Sequence, residues 1–544
     1  MTQPTPPPDG FGPPQGPHPL SEFSESRRRA AAPSAARRRV VLGAAATAAA
    51  VLVGGGGWFG WQAISDDGDA DARAKGPKGP AYVRPEERVP KDPTATFQVS
   101  APGPELPKGS DTWATKGSWL TDKVYAKASV NRIGAVDAVT GKDKWQLPLP
   151  GKTCGASPDI SEDGVSVVIA AQPTKKPEKK PEKPKKDGKK DKGKGKAKGK
   201  KGKGKGGKNK DDKPSAQDLF PRCTEIIAFD VDTGKKLWTK SVTLGSQSRK
   251  MEFDQAAISG DTVGVGGIYG GAAFDLSSGK ELWRPSVSSQ CQDRGYAGGG
   301  SRLGAVRACG EVGKENFKIQ VLDPASGKDK VTYKLPSGVR SPKIFSVDPL
   351  VVGVDSGEIS GSGATDILAV DRRGKLRSKI VTPDRKFQFD CATGIVNSCR
   401  GIAVGNDKLY LATARHDGKG KFSSTNEIIS YALGTGKTTG ERADAGEPYE
   451  MFPIRMDGSN ILAYKWGSGM QIVSIDGRTM NQSTLLKSKA SVAGAGIPQL
   501  DSEMRFTHGR FFISTDLLSR PTSKKGPKSY LALGFGTKRS EPAK

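Results

Sequence analysis

The 544-residue chain is poor in the residues from which most catalytic and metal sites are built. It has three histidines: His18 lies in a Pro-rich tail, and His416 and His508 stand alone on loop-like sequence. Its six cysteines form no C-x-x-C pair, which leaves zinc ribbons and thioredoxin-type chemistry without support. Nucleophile-elbow, kinase and zincin signatures are missing as well. The sequence therefore assigns no catalytic, metal-binding or cofactor-binding residue.

Apolar residues are also scarce, at 34%, whereas the chain contains 70 glycines and 38 prolines. This high content of helix-breaking residues excludes a helical bundle.

The formal net charge is +28, but residues 173–213 alone hold 20 Lys against six Asp or Glu, a net of +14. A segment of that composition repels itself and stays extended, so we expect a disordered, solvated insertion between two strands.

Two interpretations of this Lys-rich insertion remain open. It is a functionally neutral solvated loop, or it binds an anionic polymer or lipid through counterion release. It contains no aromatic residue on which bases could stack, so specific nucleic-acid recognition is not expected.

The N-terminal region predicts the compartment. Residues 1–39 form a Pro- and Arg-rich tail that we expect to be disordered and cytoplasmic. Residues 40–64 carry no charge and, as a helix, would span roughly 37 Å, which suffices for a transmembrane helix. Arginines before this segment and aspartates after it predict a single-pass membrane protein whose remainder is extracytoplasmic. Residues 65–93 form a linker.

A cleaved export signal is the alternative. Arg37–Val41 resembles a twin-arginine motif, and Ala70–Ala72 resembles an A-x-A cleavage site. Both interpretations place the bulk of the protein outside the cytoplasm.

All six cysteines follow the apolar segment, as expected in a compartment where disulfides form. Other connectivities and unpaired thiols remain possible. Proximity in the sequence favours the candidate disulfides Cys391–Cys399 and Cys291–Cys309. Cys154–Cys223 would then be the third pair, bridged across the Lys-rich insertion.

From residue 94 to residue 540 the sequence repeats one unit. An apolar strand leads into an Asp-x-x-Thr/Ser-Gly-Lys turn, and the next strand ends in tryptophan in the first three copies. Glycine supplies the positive φ of the turn, while aspartate caps its N–H groups. The aspartates from Asp230 to Asp371 are spaced 45, 48 and 48 residues apart. The structural positions of the repeat are Asp137, Trp145, Asp230, Trp238, Asp275, Trp283, Asp323 and Asp371.

Eight such units can be counted if degenerate copies are included. Alternation in the strand Ile226–Asp230 indicates one buried face, and a further pair of strands precedes most units. Four short strands in about 50 residues are typical of a propeller blade. The predicted fold is therefore all-β, a β-propeller of eight four-stranded blades, with seven blades as the alternative. Thr94–Ala101 is expected to supply a missing outer strand and close the ring.

The pattern A-x-D-x-x-T-G-K-x-x-W, present at Ala135–Trp145, resembles the repeat of the PQQ-like (quinoprotein-type) β-propellers. That family includes quinone-dependent alcohol dehydrogenases and a non-catalytic assembly lipoprotein of the outer-membrane BAM machine. The enzymes use a quinone, Ca²⁺ held by carboxylate and amide oxygens, an Asp base and often a disulfide of adjacent cysteines. No two cysteines are adjacent here, and no catalytic residue of the family can be placed on this chain. No cofactor is therefore expected.

The sequence thus predicts a membrane-anchored bacterial member of this family. We expect it to act as a non-catalytic binding or assembly scaffold that binds a protein or cell-envelope ligand through its propeller loops. A quinone-dependent oxidoreductase and an extracytoplasmic ligand sensor are the alternatives. The predicted membrane topology argues against nucleic acid as a partner.

Overall fold

The computed structural model describes residues 83–172, 222–244, 249–286, 290–311, 313–355, 363–383, 385–420, 423–489, 502–520 and 530–537. The predicted tail (1–39), transmembrane segment (40–64), linker up to residue 82 and Lys-rich insertion (173–213) lie outside these ranges. Within them, the regular elements are all β-strands. This part of the chain contains no helix with the length and apolar character needed to cross a membrane.

The strands are numbered in chain order. The first eighteen are β1 (Phe97–Pro102), β2 (Thr112–Ala114), β3 (Ser118–Leu120), β4 (Val124–Ser129), β5 (Arg132–Asp137), β6 (Asp143–Pro148), β7 (Thr153–Ala156), β8 (Val165–Ala171), β9 (Cys223–Asp230), β10 (Lys236–Lys240), β11 (Gln255–Ser259), β12 (Thr262–Gly267), β13 (Gly270–Asp275), β14 (Glu281–Trp283), β15 (Cys291–Gly299), β16 (Arg302–Cys309), β17 (Asn316–Leu322) and β18 (Asp329–Lys334).

The remaining strands are β19 (Arg340–Val347), β20 (Leu350–Asp355), β21 (Asp366–Val370), β22 (Leu376–Val381), β23 (Ile402–Gly405), β24 (Lys408–Ala412), β25 (His416–Asp417), β26 (Ser424–Thr425), β27 (Glu427–Ala432), β28 (Thr438–Asp444), β29 (Glu450–Asp457), β30 (Asn460–Trp466), β31 (Met470–Ile475), β32 (Gln482–Ser488), β33 (Glu503–Thr507), β34 (Arg510–Ser514), β35 (Leu517–Ser519) and β36 (Tyr530–Gly536).

The described strands form eight four-stranded antiparallel sheets, which are the blades of a β-propeller, so the alternative of seven blades is wrong. Two small pairs, β2-β35 and β25-β26, accompany them. Blades 1 to 8 have the strand orders β3-β4-β5-β6, β7-β8-β9-β10, β11-β12-β13-β14, β15-β16-β17-β18, β19-β20-β21-β22, β23-β24-β27-β28, β29-β30-β31-β32 and β33-β34-β36-β1.

Blade 8 joins the two ends of the propeller. Strand β1 supplies its fourth strand and pairs antiparallel with β36, with Phe97 opposite Gly536 and Ala101 opposite Ala532. The sequence placed this closing strand at Thr94–Ala101, and the structure places it three residues later at its start. Because the outer edge of β36 is thereby paired, the ring closes without leaving that edge exposed.

The middle strands are buried on both faces, so the single buried face inferred from alternation is wrong. Ile226 and Ala228 pack with residues of blade 3 in one hydrophobic cluster. Ile227 and Phe229, which point the other way, pack in a second cluster that includes Trp119 of blade 1. Blades stack face to face, so a strand inside a blade is covered on both sides and needs no polar face.

Strand polarity sorts the connections into two groups. Because the strands of a blade alternate in direction, the first-to-second and third-to-fourth turns lie at one end of the ring, which we call the short-turn face. The second-to-third connections and the links between blades lie at the opposite end, the insertion face. This face carries Gln172 and Arg222, the residues that flank the Lys-rich insertion, and also the β25-β26 hairpin.

Candidate functional site

The predicted turn aspartates cap the third-to-fourth turns of blades 1 to 5. In each turn an Asp Oδ1 accepts hydrogen bonds of 2.8–3.1 Å from backbone N–H groups two to four residues ahead. The Lys330 ammonium, the Ser326 hydroxyl and the Ser326 N–H together lower the pKa of Asp323 to about 2. Asp476 makes the same turn in blade 7, although its sequence lacks the Gly-Lys that marks the other copies.

The predicted tryptophans link each blade to the next. The indole Nε1 of Trp145 donates to the carbonyl of Asp232 at 3.0 Å, and that of Trp238 donates to the carbonyl of Leu276 at 2.8 Å. Trp283 Nε1 donates to the carbonyl of Pro324 at 2.7 Å. Each acceptor lies in the Asp turn of the following blade, so the motif residues stabilise contacts between blades.

Blade 5 makes the same contact without tryptophan. Its Ser378 Oγ donates a 2.7 Å hydrogen bond to the carbonyl of Leu433, in the corresponding turn of blade 6. Ser378 pairs with Ala369 across the strands, just as Trp145 pairs with Ala135. Sequence reasoning missed this residue because serine shares no side-chain class with tryptophan.

Three disulfides are present, and they join the three predicted pairs. Cys154 and Cys223 link β7 to β9 beside the insertion, and the backbone N–H of Gln172 donates to the carbonyl of Arg222 at 2.8 Å. The Lys-rich insertion thus leaves the propeller from a covalently fixed base.

The two histidines of the described chain each lie against a carboxylate. His508 Nδ1 lies 2.5 Å from Asp122 Oδ1, and His416 Nε2 lies 3.2 Å from Glu427 Oε1. Asp122 reaches His508 across the junction of blades 1 and 8, whereas Glu427 belongs to the same blade as His416. Both are partly exposed surface pairs.

The link between blades 5 and 6 forms a closed loop, Asp390–Arg400, which we call the channel loop. At its base the backbone N–H of Arg400 donates to the carbonyl of Asp390 at 2.8 Å, with the reciprocal bond at 3.1 Å. One residue further in, the disulfide Cys391–Cys399 closes the loop covalently. Two hydrogen bonds and a disulfide make this base a rigid support for the loop's tip.

The tip of the channel loop crosses to blades 3 and 5. The side-chain amide of Gln255, which begins β11, donates to the carbonyl of Gly394 at 2.9 Å and accepts from the backbone N–H of Val396 at 2.7 Å. On the other side, the N–H of Ile344 in β19 donates to the carbonyl of Val396 at 2.9 Å. The loop therefore spans part of the central channel.

A buried lysine in β19 also holds the channel loop in place. Lys343 is 1% exposed, and its ammonium donates to the carbonyls of Ile395, at 2.9 Å, and Ala392. Burial lowers the pKa of Lys343 to about 8 despite the nearby Asp390 carboxylate. Carbonyl oxygens are its partners, so the loop satisfies a cation that would otherwise be costly to bury.

Beside the channel loop lies a cavity of about 540 Å³, which we call the channel cavity. Four first strands border it, β3, β7, β29 and β33, together with the start of β11. Strands from blades so far apart in sequence meet only around the propeller axis. A smaller cavity of about 180 Å³ lies on the far side of Asn397 and Cys399, next to Gly298.

One corner of the channel cavity holds a buried charge network between blades 1 and 8. Lys127 Nζ lies 2.8 Å from Glu503 Oε2 and donates to the carbonyl of Thr115 at 2.5 Å. Arg400, at the base of the channel loop, lies 2.5 Å from Asp516. Burial and the Glu503 carboxylate raise the pKa of Asp516 to about 6, whereas Arg400 and Lys127 oppose that rise.

Further charged groups line the cavity wall. Arg505 Nε donates to the carbonyl of Ser118 at 2.9 Å, and Lys116 lies on the same wall. Opposite charges come from Asp159 and Asp254, whose pKa values are raised because protein atoms surround their carboxylates. Asp159 is nevertheless open to solvent within the cavity. The cavity therefore offers both acidic and basic groups to a ligand.

The residues around the channel do not fit the quinone and Ca²⁺ of the family's enzymes. The disulfide that reaches the channel joins cysteines eight residues apart and closes a loop that itself occupies channel space. Among the described residues, no group of three or more His, Cys, Asp or Glu side chains is arranged to hold a metal ion. We therefore assign no cofactor ligand on this chain.

Comparison with known proteins agrees with this fold. The family model described as outer membrane protein assembly factor BamB matches residues 222–308, from β9 to β16. A search of curated proteins found no significant match. The eight four-stranded blades show a β-propeller, and residues 222–308 within it are similar to the BamB family model.

Solved structures that resemble the chain include both kinds of relative. BamB from Moraxella catarrhalis is 12% identical, with 81% of this chain and 99% of that chain covered and a TM-score of 0.40. The quinohemoprotein alcohol dehydrogenase from Comamonas testosteroni is 12% identical, with 83% and 77% covered and a TM-score of 0.41. Neither likeness is close enough to carry a functional argument.

Proposed function

We propose that this protein is a membrane-anchored, extracytoplasmic β-propeller that acts as a non-catalytic binding or assembly scaffold. The channel loop is the observation that carries the proposal. It places the chain's own backbone, held by Gln255 and Lys343, across part of the central channel, which supports a binding role for this region. The family model for an outer membrane assembly factor supports the same kind of role.

The insertion face is the surface we assign to binding. It carries the channel loop and the base of the Lys-rich insertion. The short-turn face is built from Asp turns whose polar groups are already used in capping and blade contacts.

Affinity capture tests the scaffold role. The full chain, tagged at its C-terminus and extracted from intact envelope, is expected to co-purify with one defined partner in fixed proportion. The control carries charge reversals on the short-turn face, Lys142→Glu and Lys235→Glu, and is expected to retain that partner. Dye reduction by alcohols or sugars after reconstitution with quinone and Ca²⁺ would instead support an oxidoreductase and overturn the proposal.

We further propose that the Lys-rich insertion binds anionic polymer or lipid. Its net charge of +14 and its fixed base at Cys154–Cys223 favour a tethered polycation. The full chain is compared with a variant in which residues 173–213 are replaced by a Gly/Ser linker of equal length. Retention on heparin or on vesicles of anionic lipid is expected to fall strongly in the variant and with added salt. Unchanged retention would reject this role.

A further inference from the structure

The channel loop shows what the first strands of the blades can bind. Each first strand is the end strand of its sheet and is paired on one side only, so its second edge faces the channel. In blade 5 this edge is used: the N–H of Ile344 donates to the carbonyl of Val396. In blade 3 the carbonyl of Ala256 accepts from the Asn397 side chain at 3.5 Å. The propeller therefore already binds one polypeptide segment, its own, through first-strand edges.

The other side of the channel offers further first-strand edges beside open space, although Arg505 already occupies the Ser118 carbonyl of β3. The channel cavity is bordered by β3, β7, β29 and β33, and each of these is an end strand. Its volume of about 540 Å³ lies in the range of roughly 300–1,000 Å³ usual for ligand sites. An extended segment bound there would gain main-chain hydrogen bonds in the manner of strand addition.

The charged side chains on the cavity wall indicate which class of ligand the channel cavity can bind. Lys116 and Arg505 stand on the wall formed by blades 1 and 8, and Asp159 and Asp254 face the same space from blades 2 and 3. The full lining contains four basic and five acidic side chains, so the cavity does not strongly favour a polyanion or a polycation. A polypeptide segment that carries both acidic and basic side chains matches such a lining.

We propose that the channel cavity binds an extended segment of a partner polypeptide, hydrogen-bonded to one or two of the first-strand edges of blades 1, 2, 7 and 8. This inference rests on the proposed scaffold function and names the site through which the scaffold holds its partner. The channel loop is the intramolecular counterpart of that segment, and its exposed Ala392 lines the same cavity.

The test uses the purified full chain and a degenerate library of unstructured decapeptides. Peptides retained by the wild type are identified by mass spectrometry and their affinities are measured by fluorescence anisotropy. Ala392→Trp fills the cavity from the channel loop and is expected to weaken binding about tenfold or more. Ala325→Trp makes the same change at an exposed turn of the short-turn face and is expected to leave binding unchanged.

A second variant distinguishes a loss of binding from a loss of folding. Lys116→Glu reverses one wall charge without adding bulk, and it is expected to weaken acidic peptides more than basic ones. Thermal unfolding of each variant accompanies the binding data. The inference is overturned if the wild type retains no peptide, if Ala392→Trp binds as tightly as the wild type, or if oligosaccharides are retained and peptides are not. Partner capture that survives Ala392→Trp would reject this site and leave the scaffold function standing.

Discussion

The indole Nε1 of Trp238 in blade 2 donates a 2.8 Å hydrogen bond to the carbonyl oxygen of Leu276 in blade 3. The tryptophan is 8% exposed and belongs to the cluster that joins these two blades. A residue at the end of one repeat thus stabilises the turn of the next. This arrangement explains why the repeat retains an aromatic residue at a strand end.

Two substitutions at Trp238 distinguish the contribution of its hydrogen bond to stability from the contribution of its packing. Trp238→Phe removes the indole donor but keeps an aromatic ring, and it is expected to lower the free energy of unfolding by about 1–2 kcal/mol. Trp238→Ala also leaves a cavity between blades and is expected to cost about 3–5 kcal/mol. Urea unfolding of both variants measures the difference. Equal losses for the two variants would contradict a separate contribution from the ring.

The turn glycine beneath Trp238 gives a second prediction. Gly279 has φ +68°, and a Cβ built there would lie 2.7 Å from the Trp238 ring. Gly279→Ala therefore adds a clash to backbone strain of roughly 1–2 kcal/mol. Gly260 has φ +53° with nothing within 4 Å of such a Cβ, so Gly260→Ala is the matched control. Chemical unfolding should show a larger loss for Gly279→Ala than for Gly260→Ala; equal losses would argue against the clash.

The turn aspartates predict a loss of stability in acid. Burial raises the pKa of Asp137, but the N–H groups of Thr140 and Val139 and the Lys144 ammonium outweigh it and lower the value to about 2. A carboxylate with a lowered folded-state pKa contributes stability above its unfolded pKa of about 3.9 and loses it as pH falls towards 2. Melting temperatures from pH 6 to pH 2 should therefore fall more steeply for the wild type than for Asp137→Asn. Parallel curves would show that the charge of Asp137 does not contribute.

Much of this architecture follows from the sequence because it is local. The Asp turn, the positive-φ glycine and the repeat length are all set within one unit of about 50 residues, so a single chain reveals them. The closing strand near Phe97 could be expected because the last unit lacked an outer strand. The disulfides Cys391–Cys399 and Cys291–Cys309 followed from proximity, and Cys154–Cys223 followed as the remaining pair.

The channel loop could not be predicted, because its contacts are distant in sequence. Gln255, Lys343 and Val396 carry no shared motif, and only closure of the ring brings blades 3, 5 and 6 to one axis. The charge network was missed for a similar reason, since Lys127 meets Glu503 only where the first and last blades join. A site on the propeller axis is formed by residues from several blades that are far apart in sequence, so a local sequence pattern cannot predict it.

Removing the loop disulfide should loosen the channel loop without opening the propeller. A disulfide that closes so short a loop contributes about 2–3 kcal/mol to ordering it. In Cys391→Ala/Cys399→Ala, hydrogen exchange at residues 390–400 is expected to become faster. Val396 should remain the slowest of these amides to exchange, because Gln255 still accepts its N–H.

Cys291→Ala/Cys309→Ala, which removes a disulfide between paired strands, is the control and should leave exchange in the channel loop unchanged. Unchanged exchange in the first variant would show that the hydrogen bonds alone hold the loop.

Asp516 predicts a pH dependence of opposite sign to that of the turn aspartates. Burial and the neighbouring Glu503 carboxylate raise its pKa to about 6, above the unfolded value of about 3.9, even though Arg400 and Lys127 face it. Between these two values the folded chain binds more protons than the unfolded chain, so this group's contribution to stability falls as pH rises from about 4 to about 6.

The variant Asp516→Asn cannot ionise and removes that pH dependence. The wild type is therefore expected to lose stability relative to Asp516→Asn as pH rises from 4 to 7, as measured by urea unfolding at each pH. Asp111→Asn, at a carboxylate that is 96% exposed, is the control and should follow the wild type throughout. A wild type that gains stability over Asp516→Asn across this range would show that the Arg400 ion pair outweighs burial, so that the charged corner of the cavity stabilises the channel loop at neutral pH.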